Sequence, residues 1–416
     1  MPFKGICYDP GRVEAGAVMA PPYDVIGAEE LKSLYQRSPY NIARVDAGEQ
    51  LPADTSEENK YSRASALIQK WLSEGVLRQA EAPSLYAYEI RYAVGGKEKE
   101  LRGVFAMVKL EPFGSGQIYP HECTHSKARN DRLRLLSATG MNTSPVFSFY
   151  ENQSSRTGAL LARLSDGVPP FLEAHDAGGF RHRLWVIDDP AQTAAFQADL
   201  EGRAVFIADG HHRYETALEY QRTRRMGMAG EQKQTAPFDY VLMFLANIAD
   251  EGLTVLPTHR LVRGGAARRI PECLGEHFEV EEVFPYAAPA APAGILQSIR
   301  GMKNTFGIYT REKKCYRAAY DGASLAGFHP ALRELDVVIL HGCLINRLLG
   351  SPEVAYEMDA NAAIRLVAQG EWDAAFFLNP TSVNEVMEVA LSGQRMPPKS
   401  TYFYPKIMTG FVMSRV

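Results

Sequence analysis

The sequence predicts an α+β fold, with a mixed sheet at its core and a second α/β lobe. Three observations carry that expectation. Short apolar runs at Ser84–Tyr92, Arg102–Leu110, Pro145–Tyr150 and Tyr240–Asn247 have the composition of strands, and amphipathic stretches such as Tyr61–Glu74 have the spacing of helices. The two kinds succeed one another irregularly, without the repeated βαβ unit of a doubly wound sheet. The stretch Phe284–Pro292, rich in proline and alanine, reads as a linker. It divides the chain into an expected first region, 1–283, and a second lobe, 293–416.

Taken in order, the extended Ala20–Ile26 leads into a helix that starts at Ala28–Leu31. A second helix covers Tyr61–Glu74, with Leu67, Ile68, Trp71 and Leu72 on its inner face and Gly75 as its stop. The strands Ser84–Tyr92 and Arg102–Leu110 form a hairpin around Gly95-Gly96. The polar stretch His125–Ser137 is helical, and Pro145–Tyr150 and Phe180–Ile187 are strands. Asp188-Asp189-Pro190 turns the chain into a helix over Ala191–Glu201. Next comes a buried strand at Ala204–Ala208, followed by helical spacing at Tyr214, Ala217 and Leu218. After the strand Tyr240–Asn247, the later half adds strands at Thr305–Tyr309, Cys315–Tyr320 and Ala374–Leu378. Its helices are Asp336–Leu349 and Ser382–Leu391, and the proline-bounded Met396–Lys406 is an edge strand returning to the site.

Composition narrows the function classes. Of 416 residues, 46% are hydrophobic and 23% charged, as expected of a globular protein. A net charge of −4 gives no general attraction to nucleic acid. No apolar stretch is long enough to cross a bilayer, and no apolar segment follows Met1 as in a signal peptide, so a cytoplasmic protein without a membrane partner is expected. The five scattered cysteines read as reduced thiols. There is no G-x-x-x-x-G-K-[ST] loop, no G-x-G-x-x-G turn and no protein-kinase H-R-D set.

The run Ala208–Thr216 gathers an acid, a glycine, two imidazoles and a guanidinium between a strand and a helix. Asp209-Gly210 would turn the strand into a helix N-terminus, whose amides and dipole favour a phosphate. Arg213 can add two parallel hydrogen bonds to the same anion. A mere helix cap would need only Asp or Ser.

Four further segments carry chemistry. Tyr119–His125 contains His121-Glu122-x-x-His125, formally the H-E-x-x-H of zinc hydrolases, although Pro120 places His121 at the edge of a helix. Glu122 is also a carboxylate able to accept a proton from a substrate hydroxyl. Ser126–Arg132 presents several donors, Arg132 among them. Leu256–Arg260 ends in His259-Arg260, a second His-Arg pair for substrate, and Lys399-Ser400-Thr401 after a Pro-Pro turn offers a compact donor set for an anion.

The chain carries the motifs PPYDVI, YPHExT, ADGHHRYETA, PTHR and MPPKSTYFYPK, spread over nearly its whole length. With them the chain resembles an uncharacterised prokaryotic family defined by those signatures. More remotely, Asp209–Arg213 is similar to the phosphate-binding turn of the ParB/sulfiredoxin superfamily, and within it most similar to the Asp-Gly-x-His-Arg turn of free-serine kinases. The resemblance implies a ParB/sulfiredoxin-like strand-turn-helix. Gly210, His211, His212 and Arg213 would cradle donor phosphates, with one or other histidine touching them, Asp209 would place Mg²⁺, and His212 would stand with Asp209 in the catalytic set. Sulfiredoxin chemistry is disfavoured because His211 stands where that enzyme has cysteine, and ParB-type DNA binding by the acidic balance. The kinases' glutamate has no motif match here, so Glu122 is assigned by its own chemistry.

The resulting expectation is a small-molecule kinase taking a phosphoryl group from ATP, ADP or pyrophosphate to a hydroxyl, with the amino acid L-serine the leading acceptor. Lys399, Arg132 or Arg260 would bind the acceptor's carboxylate or a terminal phosphate. A nucleotide or pyrophosphate hydrolase, a non-catalytic nucleotide sensor and an H-E-x-x-H zinc hydrolase are the alternatives.

Overall fold

The computed structural model of the chain describes residues 1–124, 126–154, 156–227, 235–275, 277–283, 291–322, 325 and 327–416. The fold is α+β, in two units. The first comprises Met1–Pro120, Thr124–Thr254 and Pro405–Val416; the second comprises His121–Cys123 and Val255–Tyr404.

The first unit is built on an eight-stranded mixed sheet. Its strands run in the spatial order Ile118–Tyr119, Val205–Asp209, Val146–Tyr150, Tyr240–Asn247, Lys97–Lys109, Leu85–Val94, Arg181–Ile187 and Leu172–His175. Val205–Asp209 runs parallel to Ile118–Tyr119, and Tyr240–Asn247 parallel to Val146–Tyr150; the other neighbours are antiparallel. The hairpin at Gly95-Gly96 has φ of +59° and +74° at its two central residues. A tight turn matching the strands' twist needs left-handed backbone at both, which glycine alone adopts without strain.

Val205 and Ile207 point into a core with Val104, Ala106, Val146, Met243, Leu245, Phe196 and Tyr214, so the sheet's central strands are anchored by β-branched and aromatic packing. Helix Pro190–Leu200 starts where Asp189 accepts the Gln192 amide, with proline at its first position. Helix Lys60–Ser73 starts at a reciprocal cap between Asn59 and Ser62. The chain's end returns to this unit, where Ser414–Arg415 pairs antiparallel with Met141–Asn142.

The second unit carries a six-stranded antiparallel sheet, ordered Phe278–Glu282, Cys315–Tyr320, Thr305–Thr310, Ala374–Phe377, His259–Arg263 and Glu353–Glu357. Leu261, Ala375, Phe377 and Tyr309 pack under helices Ala291–Ile299 and Ala360–Ala368.

Two expectations differ from this arrangement. The boundary expected between 283 and 293 does not follow the division into units, because His259–Arg263 and Phe278–Glu282 are strands of the second sheet. Residues 284–290 lie outside the described residues. The strand expected over Met396–Lys406 is confined to Tyr402–Tyr404, since Pro397 and Pro398 lack amide donors and Lys399 adopts φ +58°. Among the described residues, no helix is long and apolar enough to cross a membrane.

Candidate functional site

In the first unit the strand Val205–Asp209 ends on Asp209 and helix His211–Met226 begins immediately after, with Gly210 between them at φ +93°. The β-branched and aromatic Val205-Phe206-Ile207 favour the strand, and the left-handed glycine stops it. The pairing with Val146–Tyr150 slips by one residue between Ile207 and Asp209, a bulge that re-aims the strand's last side chains.

Asp209 is held from both sides. Its Oδ1 accepts from Lys406 Nζ at 3.0 Å and its Oδ2 from Arg213 Nη2 at 2.7 Å. The three side chains are only 18%, 15% and 11% exposed, respectively, so solvent screens the cluster weakly. Arg213 Nη1 donates to the Pro145 carbonyl. The guanidinium lies against Gly210: a Cβ there would stand 2.9 Å from Arg213 Nε, so the bare glycine is what lets the arginine fold back over the turn. Two cations meet one carboxylate beside a helix N-terminus, where first-turn amides have no intrahelical acceptors. That arrangement suits an anion.

The helix is fixed beneath the turn. Tyr214, fully buried, donates its hydroxyl to the Glu111 carbonyl at 2.8 Å and accepts the Glu111 amide at 3.0 Å. Glu215 accepts from Thr124 Oγ1 at 2.5 Å and from Arg129 Nη1 at 3.2 Å, tying in helix Ser126–Thr139. His211 is buried and His212 half-buried in the first turn. Arg132 belongs to the interior of this unit. It is 7% exposed, donates to the Asp46 carbonyl at 2.8 Å and to Asp131 Oδ2 at 2.5 Å, and lies 3.8 Å over the Tyr23 ring. Burial pushes the Tyr23 hydroxyl pKa well up, with Arg132 opposing that shift.

In the second unit, His121-Glu122, Thr258–Arg260 and Met396–Thr401 meet. Glu122 bridges Met396, whose amide donates to the His121 carbonyl at 2.8 Å, and Glu122 Oε1 accepts the Lys399 amide at 2.8 Å. The His121 ring shares a hydrogen bond with Thr401 Oγ1 at 2.9 Å, and Ser400 Oγ donates to the Pro397 carbonyl at 2.6 Å. Arg260 is fully buried. It donates to the Lys399 carbonyl at 2.9 Å, to His341 Nε2 at 3.0 Å and to the Thr258 carbonyl, and stands 5.2 Å over the Tyr356 ring.

None of those hydrogen-bond acceptors is a carboxylate, and burial lowers the Arg260 pKa to about 10. Burial and the Arg260 charge lower His259 and His341 to about 4 each, so His341 is a neutral acceptor. His259 packs on Phe377 with rings 4.9 Å apart, and its Nδ1 is buried without a hydrogen-bond partner.

The helix that an H-E-x-x-H zinc site needs does not extend over the first two residues of the pattern. His121 and Glu122 lie in an extended segment before the helix that starts at Ser126, so the pattern is not on one helical face. His125 lies outside the described residues. Among the described residues no group of three or more His, Cys, Asp or Glu side chains is arranged to hold a metal ion. Sequence reasoning missed Lys406 as the partner of Asp209. Lys406 ends the motif MPPKSTYFYPK and stands 197 positions from Asp209, too far for a local pattern to pair them. It also missed His341 and Tyr356, which no local pattern singles out. A separate cavity of about 700 Å³ in the first unit is lined by Val205, Ile118, Phe196 and Leu245 and does not include Asp209 or the turn.

The chain belongs to the DUF1015 family, described as a protein of unknown function, which matches residues 1–338. No curated protein matches it. Among solved structures it is similar to a free serine kinase in complex with AMP, at 15% identity over 74% of this chain and 92% of that one, with a TM-score of 0.37. A conserved hypothetical protein from Pyrococcus furiosus is similar at 15% identity, covering 74% of this chain and 95% of that one, with a TM-score of 0.35. SbnI from Staphylococcus aureus, truncated at its C-terminus, is similar at 11% identity, covering 73% and 85%, with a TM-score of 0.36.

Proposed function

For this member of the DUF1015 family we propose a small-molecule phosphotransferase, moving a phosphoryl group from ATP, ADP or pyrophosphate to a hydroxyl, with L-serine as the first acceptor to test. One observation supports it above the others: the Asp209 carboxylate gripped by Lys406 and Arg213 beside the helix that Gly210 opens. Phosphoryl transfer needs alignment and charge neutralisation more than covalent help from the protein. Arg213, Lys406 and the amides of His211 and His212 would hold the donor's phosphates. The bond from the transferred phosphorus to the donor's bridging oxygen breaks as one to the acceptor oxygen forms, and the hydroxyl proton passes to a base.

Asp209 would hold Mg²⁺. That ion takes one or two carboxylates and fills its shell with phosphate oxygens and water, but both Asp209 oxygens accept from Lys406 and Arg213, so it would reach Asp209 only through water or by displacing one of those cations. When bound, the ion would neutralise charge on the donor. Glu122 is assigned the role of base by its chemistry, and its Oε1 is oriented by the Lys399 amide. Of the three cations expected to bind an acceptor carboxylate, Arg132 is held by Asp46 and Asp131 and Arg260 is fully buried, whereas Lys399 is exposed. Lys399 is therefore preferred.

Crystals soaked with pyrophosphate test the donor site. Anion density over Gly210–Arg213 is the expected result; density elsewhere with the turn bare would overturn the reading.

A further inference from the structure

Beneath the phosphate turn, within the first unit, lies a cavity of about 30 Å³ lined by Asp46, Asn142, Thr143, Ser144, Arg213 and Thr216 among others. Two atoms of its lining residues, Asp46 Oδ2 and Arg213 Nε, are buried and have no hydrogen-bond partner. One is a charged acceptor, the other a charged donor. Groups of that kind are seldom left unpaired away from solvent, and a cavity of that volume holds about one water molecule.

We propose that a single water in this cavity donates to Asp46 Oδ2 and accepts from Arg213 Nε–H, which makes Asp46 a positioning residue for the Arg213 guanidinium. Asp46 is suited to the task because it is itself immobilised. It is 2% exposed, and its Oδ1 accepts from Thr143 Oγ1 at 2.7 Å and from Arg132 Nη1 at 3.3 Å. Its carbonyl takes a second bond from the same arginine nitrogen at 2.8 Å. Arg213 spends Nη1 on the Pro145 carbonyl and Nη2 on Asp209. The bridged Nε supplies the third point, and three points fix the plane of the fork. A planar guanidinium held that way presents its remaining N–H bonds to an anion in one orientation, so less freedom is lost on binding. Thr143, Ser144 and Asn142 also line the cavity and carry hydroxyl and amide oxygens able to accept the water's second hydrogen.

The functional half of this inference rests on reading the turn as an anion site; the structural half does not. A high-resolution crystal structure of the full chain should show an ordered water within hydrogen-bond reach of both Asp46 Oδ2 and Arg213 Nε, and its absence would overturn the proposal. Calorimetric titration with inorganic pyrophosphate then tests coupling. Asp46→Asn, which exchanges one acceptor oxygen for a donor, should weaken binding about ten- to a hundredfold in the parent chain and less than twofold in an Arg213→Met background. Equal losses in both backgrounds would make Asp46 merely structural and overturn the proposal. Should Asp46→Asn fail to fold, Ser144→Thr, which adds a methyl group beside the cavity, should displace the water and weaken pyrophosphate binding; retained affinity with the water gone would refute the positioning role. If the parent chain itself ignores pyrophosphate, the anion reading falls, and the crystallographic water alone decides whether Asp46 positions Arg213.

Discussion

Replacing Lys406 with methionine removes one of the two cations on Asp209 while keeping the length and apolar stem of the side chain. The bond it deletes is 3.0 Å long and joins side chains 15% and 18% exposed, so it is a charge-assisted contact with limited screening. Such bonds are worth about 1.5–3 kcal/mol, and because Arg213 still holds the other carboxylate oxygen, the lower end applies to stability. At roughly 2–4 °C per kcal/mol in a large chain, the melting temperature should fall by about 3–6 °C. The effect on anion binding is larger, because one positive charge beside the turn is removed. With an effective dielectric near 20, a unit charge about 4 Å from a phosphate contributes up to roughly 4 kcal/mol, and solvent competition reduces this to about 2–3 kcal/mol. The pyrophosphate dissociation constant, measured by calorimetry, should therefore rise about thirty- to a hundred-and-fortyfold, with Lys406→Arg recovering most of the loss. A lowered melting temperature with unchanged affinity would refute the reasoning by making Lys406 a purely structural partner of Asp209.

Gly210→Ala places a Cβ 2.9 Å from Arg213 Nε at a φ of +93°, so it should cost about 1–2 kcal/mol of stability and weaken pyrophosphate binding as well; wild-type melting and affinity together would contradict the turn geometry. Glu122→Gln keeps an oxygen for the Lys399 amide but cannot take a proton, so donor affinity should hold while turnover drops about a hundredfold or more, and undiminished turnover removes Glu122 from the base role. Protonation in the second unit should make it acid-sensitive. His259 and His341 are lowered to about 4 in the folded chain, so the stability tied to their neutral forms is complete above the ordinary value of 6.5 and is lost as pH falls toward 4, each group acting at about 1.4 kcal/mol per pH unit within that window. Asp336 acts in the opposite sense. Burial raises it to about 6, so its contribution is present at low pH and lost as pH rises through 6. His341→Gln should flatten the fall in melting temperature between pH 6.5 and 4, and Asp336→Asn should stabilise at pH 7 but not at pH 4; variant and parent profiles that run parallel would contradict both.

The strand-turn-helix at Asp209 was legible because its causes are local: a β-branched and aromatic run, then Asp-Gly, then residues at helical spacing. The Gly95-Gly96 hairpin was legible for the same reason. His259–Arg263 was not read as a strand. It carries charge at its end and is strand only through its pairing with Ala374–Phe377 and Glu353–Glu357, both distant in sequence. The bonds that assemble the polar cluster within each unit are likewise non-local. Lys406 reaches Asp209 across 197 positions and Lys399 reaches Glu122 across 277, distances over which a sequence pattern fixes neither partner. Arg132 looked like a member of an exposed donor face, but Asp46, contributed by a separate short helix, draws it inside.

Phosphoryl transfer itself is the most direct test of the proposed function. Purified chain incubated with Mg²⁺, L-serine and ATP, ADP or pyrophosphate labelled in the transferable phosphate should give labelled phosphoserine, in a reaction abolished by Asp209→Ala. Release of labelled phosphate at a rate indifferent to serine, or donor binding without any turnover, would contradict the account.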